Sequence, residues 1–177
     1  MRRFLDRLYL WSGYLGALFI VAICVAMIGQ SILRELGVRT GAVNDVVSWF
    51  CAAAAFFTMA HAFKHGDFVR VTLLLESVTP ATRKVLELIS LLIGSAATAY
   101  LAWSACLFTY ESWEFNDIAQ GMLAMPLWIP QLSFALGSVL LWVAVVDELL
   151  IVLQGKTPTF VLAVEERHAK GDFSSDI

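Results

Sequence analysis

Four stretches without one charged residue, Leu8 to Leu33, Val46 to Phe63, Leu88 to Tyr110 and Ile118 to Val146, fill more than half of the chain. Each reaches the roughly 17–25 residues with which a helix crosses a bilayer core. Lipid offers no water to backbone amides, so runs of this kind must satisfy their own hydrogen bonds as helices. The expected fold is an all-α integral membrane protein with four transmembrane helices. Spans are expected at about 10–33, 46–63, 86–110 and 127–150, with a polar C-terminal tail at 155–177, all within a single domain over residues 1–177.

Composition excludes an ordinary soluble domain. Hydrophobic residues make up 59% of the 177, charged residues only 15%, and mean hydropathy is +0.75, whereas soluble domains carry about a quarter charged residues. The net charge of -3 says little, because orientation follows where Lys and Arg sit. Ten of the 12 lie in the N-terminal segment (Arg2, Arg3, Arg7), the middle loop (Lys64, Arg70, Arg83, Lys84) and the tail (Lys156, Arg167, Lys170). Arg34 and Arg39 occupy the first loop, and the third, with Glu111, Glu114 and Asp117, has no basic residue. Both termini and the middle loop are therefore expected in the cytoplasm. The start MRRFLDRLY resembles a signal-peptide n-region, but the apolar stretch after it is too long and lacks an A-x-A-like site, so it reads as an uncleaved first helix.

Local chemistry marks the helix ends. Thr79-Pro80 sets a capping hydroxyl before a proline at a first helical position. Pro126 and Pro130 bracket a possible start for the fourth helix, and Gly155 with Pro158 stops it. Between the second and third helices, Phe68, Val71, Leu74, Leu75 and Val78 share one stripe at 100° per residue, which predicts a short amphipathic helix lying along the interface. Trp11, Trp49, Trp113, Trp128 and Tyr110 fall near predicted span ends, where amphipathic rings anchor in the headgroup region.

The spans are also informative for what they lack. Ionisable residues inside membranes mark ion pathways and substrate sites, and the middles of these four runs have none. Gln30, Thr58, Ser95, Thr98 and Ser104 are the polar residues at depth, and such groups commonly bridge neighbouring helices. The chain is not expected to carry a solute alone. Cys24, Cys51 and Cys106 form no C-x-x-C pair and read as small buried side chains. His61 and His65 lie one turn apart at one end of a helix and His168 is in the tail, which does not suit axial haem ligands. No phosphate-cradling loop, metal-ligand spacing or nucleophile beside a base is present. Neither an enzyme, a bound cofactor nor a nucleic-acid partner is expected.

Specific residues then point to a family. Arg34 follows the first span, Asn44-Asp45-Val46-Val47-Ser48-Trp49 opens the second, Ala60-His61-Ala62-Phe63-Lys64-His65-Gly66-Asp67-Phe68-Val69-Arg70-Val71 closes it, and Thr79-Pro80 and Met125-Pro126-Leu127-Trp128 come later. In order and spacing this resembles the small, four-helix membrane subunit of tripartite ATP-independent periplasmic (TRAP) transporters. The His65 to Val71 stretch resembles a basic-Gly-x-His-Val-Arg-Val pattern, with Asp67-Phe68 in place of the usual histidine and aliphatic residue. An acidic pair common at the start of the second helix stands here as Asn44-Asp45.

The resemblance implies a multi-pass protein of the bacterial inner membrane, surrounded by membrane lipids and paired with a large multi-helix subunit that binds substrate and sodium. A periplasmic substrate-binding protein delivers the solute, and the transport expected is sodium-coupled symport of a small organic acid or similar solute. The small subunit would act as a scaffold against which part of the large one slides. The readings that compete are a standalone four-helix membrane redox protein and an accessory subunit of an unrelated permease. Candidate partner contacts are Arg34, Asp45, Trp49 and Arg70, at span margins where polar groups stay near water. Candidate helix-packing residues are Gly13, Gly16, Gly94 and Thr98, which permit close backbone approach toward a partner or within the four-helix bundle itself.

Overall fold

A computed structural model describes residues 2–66, 80–155 and 158–162 of the chain. Four α-helices account for nearly all of them: α1 (Arg2–Glu35), α2 (Gly41–His65), α3 (Pro80–Glu114) and α4 (Trp128–Leu153). All four are long and apolar enough to cross a membrane. Among the described residues there is no strand, only an isolated bridge between Ile118 and Pro126. α3 begins at Pro80, where the missing N–H costs nothing. α4 begins at Trp128, so Pro130 falls in its first turn, where no intrahelical donor is needed. Gly66 (φ 73°) ends α2 and Gly155 (φ 74°) follows α4, both in the left-handed region that glycine enters freely. The amphipathic stripe expected over residues 68–78, and Arg70 with it, lies outside the described residues.

The helices stand in an open row and do not close into a bundle. α1 packs on α2, α2 on α4 and α4 on α3, while other pairs barely touch. Of each helix's most apolar stretch, 39% is buried in α4 and 22% in α2, against 11% in α3 and 6% in α1. The two short helices are therefore the centre and the two long ones the edges. One end of the row, here termed basal, holds the starts of α1 and α3 and the finishes of α2 and α4. The apical end holds the α1–α2 and α3–α4 loops.

Small residues explain why α2 and α4 meet. Ala53, Ala54 and Ala60 of α2 and Ala135, Gly137, Ser138 and Ala144 of α4 are all buried. In lipid, helices gain nothing by hiding apolar surface from water, so close van der Waals approach replaces the hydrophobic drive. At Gly137 an added Cβ would lie 2.6 Å from the Phe56 Cβ and 2.8 Å from its backbone carbonyl. The Phe56 and Phe134 rings meet edge to face beside it, centroids 4.4 Å apart. Gly13 and Gly16 play the same part between α1 and α2: a Cβ would come within 2.8 Å of the His61 ring and 2.4 Å of the Thr58 methyl.

The polar residues at depth divide into two kinds. Gln30 does bridge helices, its amide donating to Asn44 Oδ1 across 2.9 Å. Thr58 and Thr98 instead donate to carbonyls of their own helices, at Ala54 and Gly94, a local bond that needs no partner. Cys24, Cys51 and Cys106 are free and exposed, not buried as the sequence suggested. In an open row, apolar positions on outer faces have no neighbouring helix to cover them.

Gly137→Ala is expected to force α2 and α4 apart at a backbone contact and to destabilise the fold by about 1–3 kcal/mol. Gly29→Ala, with nothing within 4 Å of the added Cβ, serves as the control. Thermal unfolding of both variants in lipid nanodiscs checks this, and equal midpoints would contradict the packing account.

Candidate functional site

The basal end contains a buried charge cluster. Lys64, in the last turn of α2, directs its Nζ at Asp147 Oδ2 and at Glu148 Oε1, the latter 2.8 Å away. Glu148 is wholly buried and Lys64 is 8% exposed. Charges leave water only at a cost of several kcal/mol each, which an ion pair offsets only when the remaining polar atoms are also satisfied. Here they are. The Thr159 backbone N–H donates to Glu148 Oε2 across 2.9 Å and its hydroxyl donates to Oε1. The Tyr9 ring of α1 lies beneath Lys64, its centroid 5.2 Å from Nζ, an arrangement that favours a cation.

The sequence places these groups without much help from other elements. α2 and α4 run in the same direction, so their C-terminal turns share one end of the row. Lys64 also suits the negative end of the α2 dipole. The left-handed Gly155 turns the chain after α4, and a single helical turn at 159–162 folds back beneath it. That turn buries Phe160 with Leu91, Leu141 and Val145, and its ring lies 6.0 Å from that of Phe63. Thus α2, α3 and α4 are joined at the basal end by one cation, two carboxylates and one phenyl ring.

The apical end is held by a second polar device. Asp45 Oδ2 accepts the backbone N–H groups of Met122 and Leu123 at 2.8 Å and 3.4 Å. The α3–α4 loop that supplies them is closed by Ala119 N–H to Met125 O and Leu127 N–H to Asp117 O, both 2.9 Å. Gly121 leaves room for this carboxylate, since a Cβ there would lie 2.2 Å from Asp45 Oδ2 and displace it. The loop presents Phe115, Ile118 and Met122 outward, at 73%, 61% and 74% exposure.

The residues singled out from sequence are not brought together at one place. Arg34 is exposed in the last turn of α1 and makes no ion pair among the described residues. Asp45 is occupied by the chain's own loop, and Trp49 is half-buried on α2. Gly13 and Gly16 serve the α1–α2 contact. At Gly94 a Cβ would make only an ordinary contact, 3.9 Å from Val145; beside it lies a cavity of about 250 Å³ lined by Phe63, Glu87, Ser90, Leu91, Val145 and Phe160. Among the described residues no three His, Cys, Asp or Glu side chains are placed to hold a metal. The Lys64 cluster was missed because Lys64 reads as a loop residue and Asp147-Glu148 as the boundary of an apolar run. Opposite charges at two helix ends on the same side were the available signal.

Lys64→Met would leave the buried Glu148 and the half-buried Asp147 without their cation and is expected to cost about 3–5 kcal/mol. Adding Asp147→Asn and Glu148→Gln should recover part of that loss, because the partners are coupled. Thermal unfolding of the single and triple variants tests this; no recovery would mean that the cluster is not the cause. At the other end, Asp45→Ala should weaken the loop by about 1–2 kcal/mol. Faster hydrogen exchange confined to residues 117–127 is expected, and unchanged exchange would contradict the clasp.

Comparison with known proteins identifies the family. No curated protein matches the chain. The family model described as "Tripartite ATP-independent periplasmic transporters, DctQ component" matches residues 23–155, from within α1 through the whole of α2, α3 and α4. The chain is therefore a multi-pass membrane protein that belongs to the DctQ family, the small subunits of tripartite ATP-independent periplasmic transporters.

Proposed function

We propose that this chain is the membrane scaffold for the large, substrate- and sodium-translocating subunit of a binding-protein-dependent symporter of a small organic acid or similar solute. It acts in the bacterial inner membrane, with both termini and the middle loop in the cytoplasm. The orientation rests on the position of ten of the 12 basic residues, all outside the two loops assigned to the periplasm.

One observation carries the reading. At the midpoint of the α3 span, Val85–Glu114, Tyr100 is 75% exposed, and Trp103 one turn on is 71% exposed. About 22 Å of helix precedes Tyr100 in that span and about 16 Å follows Trp103, so neither ring is at the headgroup level where amphipathic aromatics settle. Hydrocarbon gives their O–H and N–H no acceptor, and an unmade hydrogen bond there is costly. Both belong to an exposed stripe of Ile89, Ile93, Ala96, Tyr100, Trp103, Leu107 and Tyr110. Its alternating steps of four and three residues are those of a helix–helix seam. Such an edge suits a transmembrane helix of the large subunit bearing polar acceptors at mid-depth.

The rest of the molecule supports a passive, stiff role. The inner ionic groups are paired within the chain, and two long outer helices give a wide apolar footprint that resists tilting while a neighbouring domain moves. Arg34, Trp49 and Arg70 remain polar or amphipathic contacts proposed at the span margins. Asp45 acts indirectly by holding the apical loop for the large subunit or the binding protein.

Vesicles holding the large subunit, this chain and the binding protein should take up solute, and uptake should vanish when this chain is omitted. Tyr100→Phe should weaken co-purification of the large subunit by about 1 kcal/mol, the scale of one interhelical hydrogen bond in lipid. Undiminished uptake without the chain would refute the requirement. Reporter fusions at Ile177 and Asn116 are expected to report cytoplasm and periplasm respectively, and a periplasmic Ile177 would overturn the orientation.

A further inference from the structure

A cleft of about 480 Å³ opens at the basal end between the start of α1, the end of α2 and the turn at 159–162. Its wall is Tyr9, Leu10 and Leu162, its floor is Lys64 and Thr159, and its rim is Asp6, Arg7 and His65. The charges differ in availability. Lys64 is occupied by Asp147 and Glu148, two carboxylates to one ammonium, and His65 Nδ1 is bonded to the His61 carbonyl across 2.9 Å. Asp6 and Arg7 are exposed, and neither forms an ion pair among the described residues. The rim therefore offers one carboxylate and one guanidinium side by side. The Tyr9 hydroxyl, buried in the same wall, has no hydrogen-bond partner among the described residues.

Depth selects the ligand. The spans of α1 and α2 end at Leu5 and His65, which sets the rim at headgroup level. Below it Leu10, Trp11, Tyr14 and Leu18 are exposed along α1, at 42%, 71%, 62% and 63%, a strip for an acyl chain with an aromatic pair near the interface. A soluble anion would use Arg7 alone and would face Asp6 at close range.

We propose that this cleft binds a phospholipid with a zwitterionic, amine-bearing headgroup. The phosphodiester sits on Arg7, whose guanidinium forms charge-assisted bonds to phosphate oxygens, and the ammonium donates to Asp6. An acyl chain follows Leu10 down the outer face of α1. A quaternary choline headgroup has no N–H to donate, and a glycerol headgroup brings no cation to Asp6, so both bind less well. The inference does not depend on the transport reading: it needs only that the chain spans a membrane.

The test is native mass spectrometry of the full chain after exchange into mixed phosphatidylethanolamine, phosphatidylcholine and phosphatidylglycerol. Phosphatidylethanolamine should be retained preferentially, by about threefold, the size of one exposed charge contact. Asp6→Asn should remove its advantage over phosphatidylcholine, and Arg7→Gln should lower retention of all three. Both positions are exposed, so both variants should keep the unmodified unfolding temperature. Equal retention of the three lipids by the unmodified chain, or unaltered preference in the two variants, would overturn the assignment. So would full displacement of lipid by soluble phosphoethanolamine, which would mark a site for a free headgroup.

Discussion

Lys64 is the group on which this structure turns. It belongs to the α1–α2 hairpin, and Asp147 and Glu148 belong to the α3–α4 hairpin, so its ion pairs join two halves that are otherwise held by a seam of small residues, the Phe56–Phe134 and Phe63–Phe160 ring contacts and the Asp45 clasp. Inside lipid that seam has no hydrophobic drive. Its strength comes from backbone proximity at Gly137 and Phe56 and from a cluster whose buried carboxylate, Glu148, is bonded by Thr159 and whose cation is backed by the Tyr9 ring. Buried ion pairs are weak evidence for stability in general, but removing one partner from a saturated one is costly. The cluster therefore acts as a lock on relative position more than as a source of net stability.

With the centre locked, the distribution of polar groups over the outside acquires meaning. The Thr58 and Thr98 hydroxyls bond their own helix carbonyls, Gln30 bonds Asn44, and Asp45 bonds the apical loop. The Tyr100 and Trp103 donors, in contrast, face outward at a depth where lipid cannot satisfy them. An edge helix of this kind is incomplete alone, which is the physical reason to read the chain as one component of a larger membrane assembly.

Much of this was legible in the sequence, and for a physical reason. Lipid tolerates only uninterrupted apolar helices, so four charge-free runs translate directly into four helices, and the left-handed glycines Gly37, Gly66 and Gly155 mark where three of them finish. The order α1–α2–α4–α3 was not legible, because apolar faces look alike whether they meet a helix or a lipid; the exposed cysteines show the same ambiguity. Lys64 and Glu148 are 84 residues apart, and only the common direction of α2 and α4 brings them together. Asp45 was picked out as a polar residue at a span margin, but its partners are backbone N–H groups, which leave no signature in sequence. The pattern that resembles the transporter family was readable because it lies in the order of short motifs and needs no knowledge of packing.

The central claim is that an edge helix of a locked row meets another membrane protein at mid-depth. A photo-reactive residue at position 100, irradiated in membranes that contain the complete transporter, tests it most directly. The account predicts a cross-link to one transmembrane helix of the large subunit, lost when Lys64→Met releases the row. Adducts with lipid alone at position 100, in membranes where the large subunit is present and active, would contradict it.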